Sequence, residues 1–308
     1  MNELELIARL TRSLPANGSV VVGAGDDCAV LDCGQPGCYL LFKTDAVVAG
    51  VHFTAEAAPE QIGHKALGRC LSDVAAMAGR PLAALVTIAL PDDFSPDFVE
   101  RIYAGINSLA QRHRVAIAGG ETTRNPERLL LSIAMVGEVA RDRCILRSGA
   151  KAGDALFVTG ELGGSLAGKH LEFEPRLAEA QWLTEHFPIH AMIDVSDGLA
   201  GDLRHILQSS QVGAELLARA IPVSRAAKLR ARAQAKQPLL AALGDGEDFE
   251  LLLTVASGNA VALLDGWKKQ FPTLRLSCIG RITAESGLKL RDKTGLHPLE
   301  THGYVHFA

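Results

Sequence analysis

The sequence has few cysteines, no surplus of positive charge and no long apolar run, and each shortage excludes something. Six cysteines in 308 residues are too dilute for a disulfide scaffold. Cys28, Cys33 and Cys38 are evenly spaced, but the spacing is not that of a zinc site and no fourth ligand stands nearby. They read as reduced thiols, and the expected compartment is the cytoplasm. Thirty-one Lys and Arg residues face 35 Asp and Glu, a net charge of −4. That leaves no basic field for nucleic acid and no polybasic patch for a membrane surface. The longest apolar run, over residues 82–90, is interrupted by Thr87 and falls far short of the roughly 18 residues a membrane span needs. The opening carries Glu3 and Glu5 and does not read as a secretory signal, so Asn17-Gly18-Ser19 reads as a turn. There is no Gly-x-Ser-x-Gly elbow and no cysteine in a nucleophile motif.

What is present is an ordinary packed globule, 48% apolar, long enough for about two domains. Residues 4–10 read as a short amphipathic helix. Apolar runs predict strands at 29–31, 38–42, 82–90, 115–118 and 129–136. Helical periodicity appears over 60–78 and 95–113. After a polar, glycine-containing connector around 147–154, strands are expected at 155–159, 192–194, 249–255 and 276–282. Helices are expected near 165–170, 175–186, 199–208 and 260–271. The alternation argues for an α/β or α+β class, with domains at 1–140 and 141–308.

The informative feature is where the acids sit. Asp26-Asp27 follows Gly23-Ala24-Gly25. Asp45 ends a strand-like run, and Asp73 lies among Leu71, Val74, Ala75 and Ala76. Glu121 follows Gly119-Gly120, Asp194 and Asp197 flank Val195-Ser196, and Asp245, Glu247 and Asp248 alternate with glycines. Singly, each is an ordinary turn or cap. Together they lie where backbone leaves a sheet and can approach a ligand. An unpartnered Asp73 would be costly to bury, and a divalent cation would offset that cost. Many carboxylates without matching basic motifs indicate hard cations such as Mg²⁺, which bridge phosphates and reverse the sign of an acidic site. The reading is an enzyme that holds a nucleotide or polyphosphate through several Mg²⁺ ions.

Two glycine-containing strings are decoys. Gly163-Gly164-Ser165-Leu166-Ala167-Gly168-Lys169-His170 nearly spells a P-loop, but His170 replaces the hydroxyl residue that would meet Mg²⁺. It is read as a glycine-rich strand-to-helix turn. Gly23-x-Gly25 lacks the third glycine of a dinucleotide fingerprint. His52, in Gly50-Val51-His52-Phe53 shortly after Asp45, is the one histidine singled out.

These motifs together resemble the thiamine-monophosphate kinase family, in the superfamily of aminoimidazole ribonucleotide synthetase and selenophosphate synthetase. The matching strings are Gly25-Asp26-Asp27, Thr44-Asp45 with Gly50-Val51-His52-Phe53, Lys65-Ala66-Leu67, Ser72-Asp73, Gly119-Gly120-Glu121-Thr122-Thr123, Arg147-Ser148-Gly149-Ala150, Asp194-Val195-Ser196-Asp197-Gly198-Leu199, Gly246-Glu247-Asp248-Phe249 and Gly303-Tyr304 with His306-Phe307. They run in order from about residue 20 to the end.

The resemblance implies a two-domain aminoimidazole ribonucleotide synthetase-like fold. Its N-terminal α+β domain would dimerise, and its C-terminal domain would be α/β. It implies direct in-line transfer of the ATP γ-phosphoryl group to thiamine monophosphate, with no phosphoenzyme. By the same resemblance, Asp27, Thr44, Asp45, Asp73, Glu121, Asp194 and Asp197 match Mg²⁺ positions. Tyr103, Gly120, Glu121, Arg147 and Ser196 match the ATP side, and His52, Glu247 and Tyr304 surround the thiamine phosphate. Asp73, Arg147 and Asp194 are the expected catalytic groups, with Arg147 suited to charge on the transferred group.

Five departures stand out, one of them a segment between Gly168 and Asp194 that is short for the family. Lys43 replaces a Thr or Ser and could supply a fixed charge in place of one ion. His64 stands where Trp is usual, Glu121 where Asp is usual, and Val305 where a polar residue is usual. The alternatives are a superfamily ligase with another acceptor and a non-catalytic nucleotide-binding regulator.

Overall fold

A computed structural model describes residues 3–234, 237–301, 303 and 304, so Val305, His306 and Phe307 lie outside the described residues. The chain forms two compact units. The first is Gly18–Cys144 with Gly168–Leu177. The second takes Ile145–Ala167, the chain from Ala178 onward and the segment up to Asn17, including the opening helix α1 (Glu3–Thr11). An expected division near residue 140 keeps the domains in chain order, whereas the compact units exchange these two short segments.

The first unit is a six-stranded sheet with helices on one face. Its strands are β1 (Val20–Val22), β2 (Ala29–Leu31), β3 (Cys38–Val48), β4 (Arg80–Leu90), β5 (Ala116–Arg124) and β6 (Leu130–Ala140), in the spatial order β1-β2-β3-β6-β4-β5. β3 and β6 pair antiparallel along their full length, Cys38 opposite Ala140 and Val48 opposite Leu130. This ladder carries β3 six residues past the expected end at 42: Lys43, Thr44 and Asp45 break the apolar run, but β6 continues to pair with them.

Helices α2 (Pro59–Ala76) and α3 (Pro96–Arg112) both begin with proline, whose fixed φ suits a first turn. The Gln61 side chain accepts the Ala58 N–H at 3.1 Å and closes the start of α2. Gly63 and Gly105 let the two helices touch backbone to backbone. A Cβ on Gly63 would stand 2.0 Å from the Ile102 carbonyl oxygen, and one on Gly105 would stand 1.9 Å from that of Glu60. Beneath α2, Leu41, Val47, Leu131, Ile133 and Val86 are buried, while Phe42, Thr44 and Leu85 alternate to the other face and are exposed. The four-residue helix α4 (Lys169–Glu172) completes this unit against α2.

The second unit is a seven-stranded sheet built from β7 (Asp154–Thr159), β8 (Ile189–Asp194), β9 (Gly213–Leu217), β10 (Leu251–Ala256), β11 (Leu276–Thr283), β12 (Gly287–Arg291) and β13 (Leu296–Pro298), in the order β13-β12-β9-β11-β7-β10-β8. Only β12 and β9 run parallel; the other recorded pairs are antiparallel. Its helices are α5 (Leu177–His186), α6 (Leu199–Ser210), α7 (Arg225–Gln234), α8 (Pro238–Gly244) and α9 (Ala260–Gln270). Sequence periodicity missed β9, β12, β13, α7 and α8. The three strands are five residues or shorter, too short to show a period, and α7 is strongly polar. Leu156, Val158, Ile193, Leu203, Ile206, Leu252 and Ile279 form the core under α6. Among the described residues no helix is long and apolar enough to cross a membrane.

Candidate active site

Each unit carries its own acidic cluster. In the first, strand alternation places Lys43 and Asp45 on the face covered by α2, and the i, i+4 spacing of Arg69 and Asp73 puts both on one side of that helix. Lys43 Nζ lies 3.1 Å from Asp73 Oδ1. Arg69 grips Asp45 with both ends of its fork, donating at 3.0 and 3.3 Å. Asp27 and Asp73 are buried, and their carboxylate oxygens lie within 4.8 Å of each other.

The electrostatics follow from this crowding. Burial works against the Lys43 charge, but Asp73, Asp45 and Asp27 outweigh it, and the ammonium is held more firmly than usual. Burial would raise the Asp45 carboxyl, but Arg69 and Lys43 hold it below its ordinary value. Burial and then the Asp73 charge push the Cys28 thiol well up; burial and then Asp45 do the same for Cys70. Both are inert protonated thiols, as the dilute cysteine pattern implies.

Thr44 and Glu121, expected beside these acids, are not on their face of the sheet. Thr44 is exposed and shares a 3.4 Å contact with Ser132, and Glu121 pairs in register with Thr87, itself opposite Ser132. Lys43 and Asp45, on either side of Thr44, face α2, and the register puts Glu121 on the Thr44 side of the sheet, so these two lie on the other face. Gly120 also has a purely structural reason to be glycine: a Cβ there would stand 1.8 Å from the Val86 carbonyl oxygen. Tyr103 is half-buried on α3, and this burial pushes its phenol up. His52 accepts the Val48 N–H at 3.1 Å and so shapes the turn after β3. His64 bonds the Phe173 carbonyl oxygen at 2.7 Å, and burial holds its imidazole below its ordinary pKa.

In the second unit, β8 ends at the buried Asp194 and passes into the turn Val195-Ser196-Asp197-Gly198, which leads to α6. Backbone bonds hold this turn from two directions. Val195 donates to Glu250 and accepts from Phe249, both at 2.8 Å. Glu247 N–H reaches Ser196 O at 2.6 Å, and Tyr304 N–H reaches Asp197 O at 2.8 Å. Asp202, one turn into α6, accepts the Asp197 N–H at 3.1 Å. Burial, then Asp197 and Asp194, push the Asp202 carboxyl well above its ordinary value. The Arg147 charge acts on the same group in the opposite sense. Ser210, at the end of α6, steadies the Arg147 loop, accepting from Gly149 and Ala150 at 3.1 Å each and donating to Arg147 O at 3.2 Å.

The glycine-rich turn is not a phosphate cradle. The Gly163 amide donates to Asp248 at 2.8 Å, and the Gly164 amide donates to Asp245 at 2.9 Å. The protein's own carboxylates already occupy the place a phosphate would take. Asp245 and Asp248 are therefore loop anchors. Glu247 and Phe249 hold positive φ angles of 55° and 50°. Such backbone is costly for non-glycine residues and persists where its surroundings over-determine it.

Arg69, Asp202 and Ser210 escaped the sequence reading. Arg69 had a signal, its i, i+4 relation to Asp73. Asp202 and Ser210 had none, because they act on backbone amides that only the fold places beside them. The donors themselves suit a hard divalent ion: Asp27, Asp73 and Asp194 are buried and Asp197 partly so, and all four offer carboxylate oxygens.

The chain matches the family described as "AIR synthase related protein, N-terminal domain" over residues 25–139 and its C-terminal domain counterpart over residues 151–293. It is 41% identical over 304 residues to the thiamine-monophosphate kinase of Rhodopirellula baltica, covering 96% of this chain and 93% of that one. It is 34% identical to the enzyme of the same name from Escherichia coli K12, covering 99% and 98%. The solved structure described as "AaThiL complexed with AMPPCP and TMP" superposes with a TM-score of 0.82 at 30% identity, covering 99% of this chain and 97% of that one. The chain belongs to the thiamine-monophosphate kinase family of AIR synthase related proteins.

Proposed function

We infer that this chain is an ATP-dependent kinase whose acceptor is itself a phosphate: it transfers the γ-phosphoryl group of ATP to thiamine monophosphate, giving thiamine diphosphate and ADP. The observation that carries the reading is the 41% and 34% identity to thiamine-monophosphate kinases over more than nine-tenths of each chain, with the acid motifs present in order. The AaThiL complex, holding an ATP analogue and TMP together, supports both substrates.

In this reading Asp27, Asp73, Asp194 and Asp197 hold Mg²⁺. When bound, Mg²⁺ neutralises phosphate oxygens and draws two anions together. The rest of the chemistry is positioning, as in-line phosphoryl transfer with no enzyme nucleophile requires. Arg147 meets charge on the transferred group and Ser196 faces the nucleotide. His52, Glu247 and Tyr304 take the thiamine side. Tyr304, exposed at the surface, can lay its ring against the cationic thiazolium. The protein works as a cytoplasmic homodimer. The six-stranded sheet leaves Phe42 and Leu85 about half exposed on the face away from α2, and a second copy would cover them.

The test is an ADP-release assay with thiamine monophosphate, thiamine and an aminoimidazole precursor side by side. ADP should appear with thiamine monophosphate alone. Turnover with the aminoimidazole precursor would favour a superfamily ligase, and none with any acceptor would favour a nucleotide-binding regulator.

A further inference from the structure

The acidic cluster of the first unit contains a cation that belongs to the protein. Lys43 sits on β3 facing α2, its Nζ 3.1 Å from Asp73 Oδ1 and its side chain only 22% exposed. Asp45 and Asp27 also act on its charge, and Arg69 engages Asp45 from the other side. Three carboxylates thus face two basic side chains, leaving one net negative charge. One divalent ion already turns that balance positive, and a second would enter against Lys43 in a poorly solvated place.

We propose that the Lys43 ammonium stands in for one divalent cation, so that most of the charge of Asp27, Asp45 and Asp73 is offset and the cluster is ordered before metal arrives, taking one ion fewer than it would without the lysine. This rests on the reading above that the cluster holds Mg²⁺. An ammonium has no lone pair and cannot itself ligate a metal; it offers only its charge and three N–H donors. Its work is confined to charge: it offsets repulsion among the acids and fixes Asp73 through a charge-assisted bond. The cluster's order should therefore depend less on metal than that of a neutral variant.

The experiment counts ions. Mn²⁺ bound per chain is measured by electron paramagnetic resonance in the presence of a non-hydrolysable ATP analogue, for the parent, Lys43→Thr and Lys43→Arg. Thermal melting is followed with EDTA and with Mn²⁺. Lys43→Thr should bind one more Mn²⁺ than the parent and should gain more in melting temperature when Mn²⁺ replaces EDTA. Lys43→Arg, which keeps the charge, should match the parent count. Equal counts for the parent and Lys43→Thr overturn the proposal, as does an extra ion in Lys43→Arg. A Lys43→Thr chain that folds only when Mn²⁺ is added supports it, and one that stays unfolded in both conditions overturns it. A parent that turns over thiamine monophosphate while the counts are equal leaves the kinase reading intact and removes only the role of Lys43. A parent that binds no Mn²⁺ removes both.

Discussion

Asp73 shows how much one side chain can carry. It sits on a helix that is buried along most of its length, is itself buried, and is held by Lys43 at 3.1 Å. Asp73→Asn keeps the size and most of the hydrogen bonding but removes the charge a divalent ion needs. Turnover should fall by at least about 100-fold, the loss typical when a preorganised electrostatic group is removed from a transition state. Circular dichroism should show an unchanged fold. Full activity in this variant would take Asp73 out of the site. At this scale the sequence was informative about Asp73 and Asp194, because an acid within or ending an apolar run is expensive and must have a reason. It was uninformative about Asp202, whose Asp-Gly-Leu-x-x-Asp setting looks like any polar position in a first helical turn.

Elements obey the same logic through strand pairing. Glu215 on β9 lies directly opposite Arg281 on β11 and takes its guanidinium at 3.0 Å, while Arg291 at the end of β12 bonds its other oxygen. These two arginines hold the Glu215 carboxyl below its ordinary pKa. A lowered carboxyl stabilises the fold above its unfolded pKa and loses that contribution as the pH falls through the folded value. Glu215→Gln should therefore cost about 1 kcal/mol near pH 7, in the range for solvent-accessible ion pairs and small networks. The difference should close as the pH drops into the carboxylate range. Urea melts of both proteins across that range test it; a gap that persists in acid would assign the effect to packing. Elements also explain the missed strands. The long helices α2 and α3 and the strands β4 and β6 announce themselves by period. β9, β12 and β13 exist because neighbours supply their hydrogen bonds.

For the whole molecule, the face of the six-stranded sheet that carries Phe42, Thr44 and Leu85 is the feature that predicts assembly. The parent should run as a dimer in light scattering, and Leu85→Glu, a charge placed on that face but away from the core, should run as a monomer with an unchanged circular dichroism spectrum. A monomeric parent would contradict the dimer. The chain alone determined that helices and strands alternate in both halves and where the glycine-flanked carboxylates fall, because helical period, apolar runs and local motifs are properties of short segments. Tertiary structure alone decided which acids share a face. Strand direction and register turn Lys43 and Asp45 toward Arg69 and Asp73 but Thr44 and Glu121 away from them, and a single residue of shift would exchange the two sets.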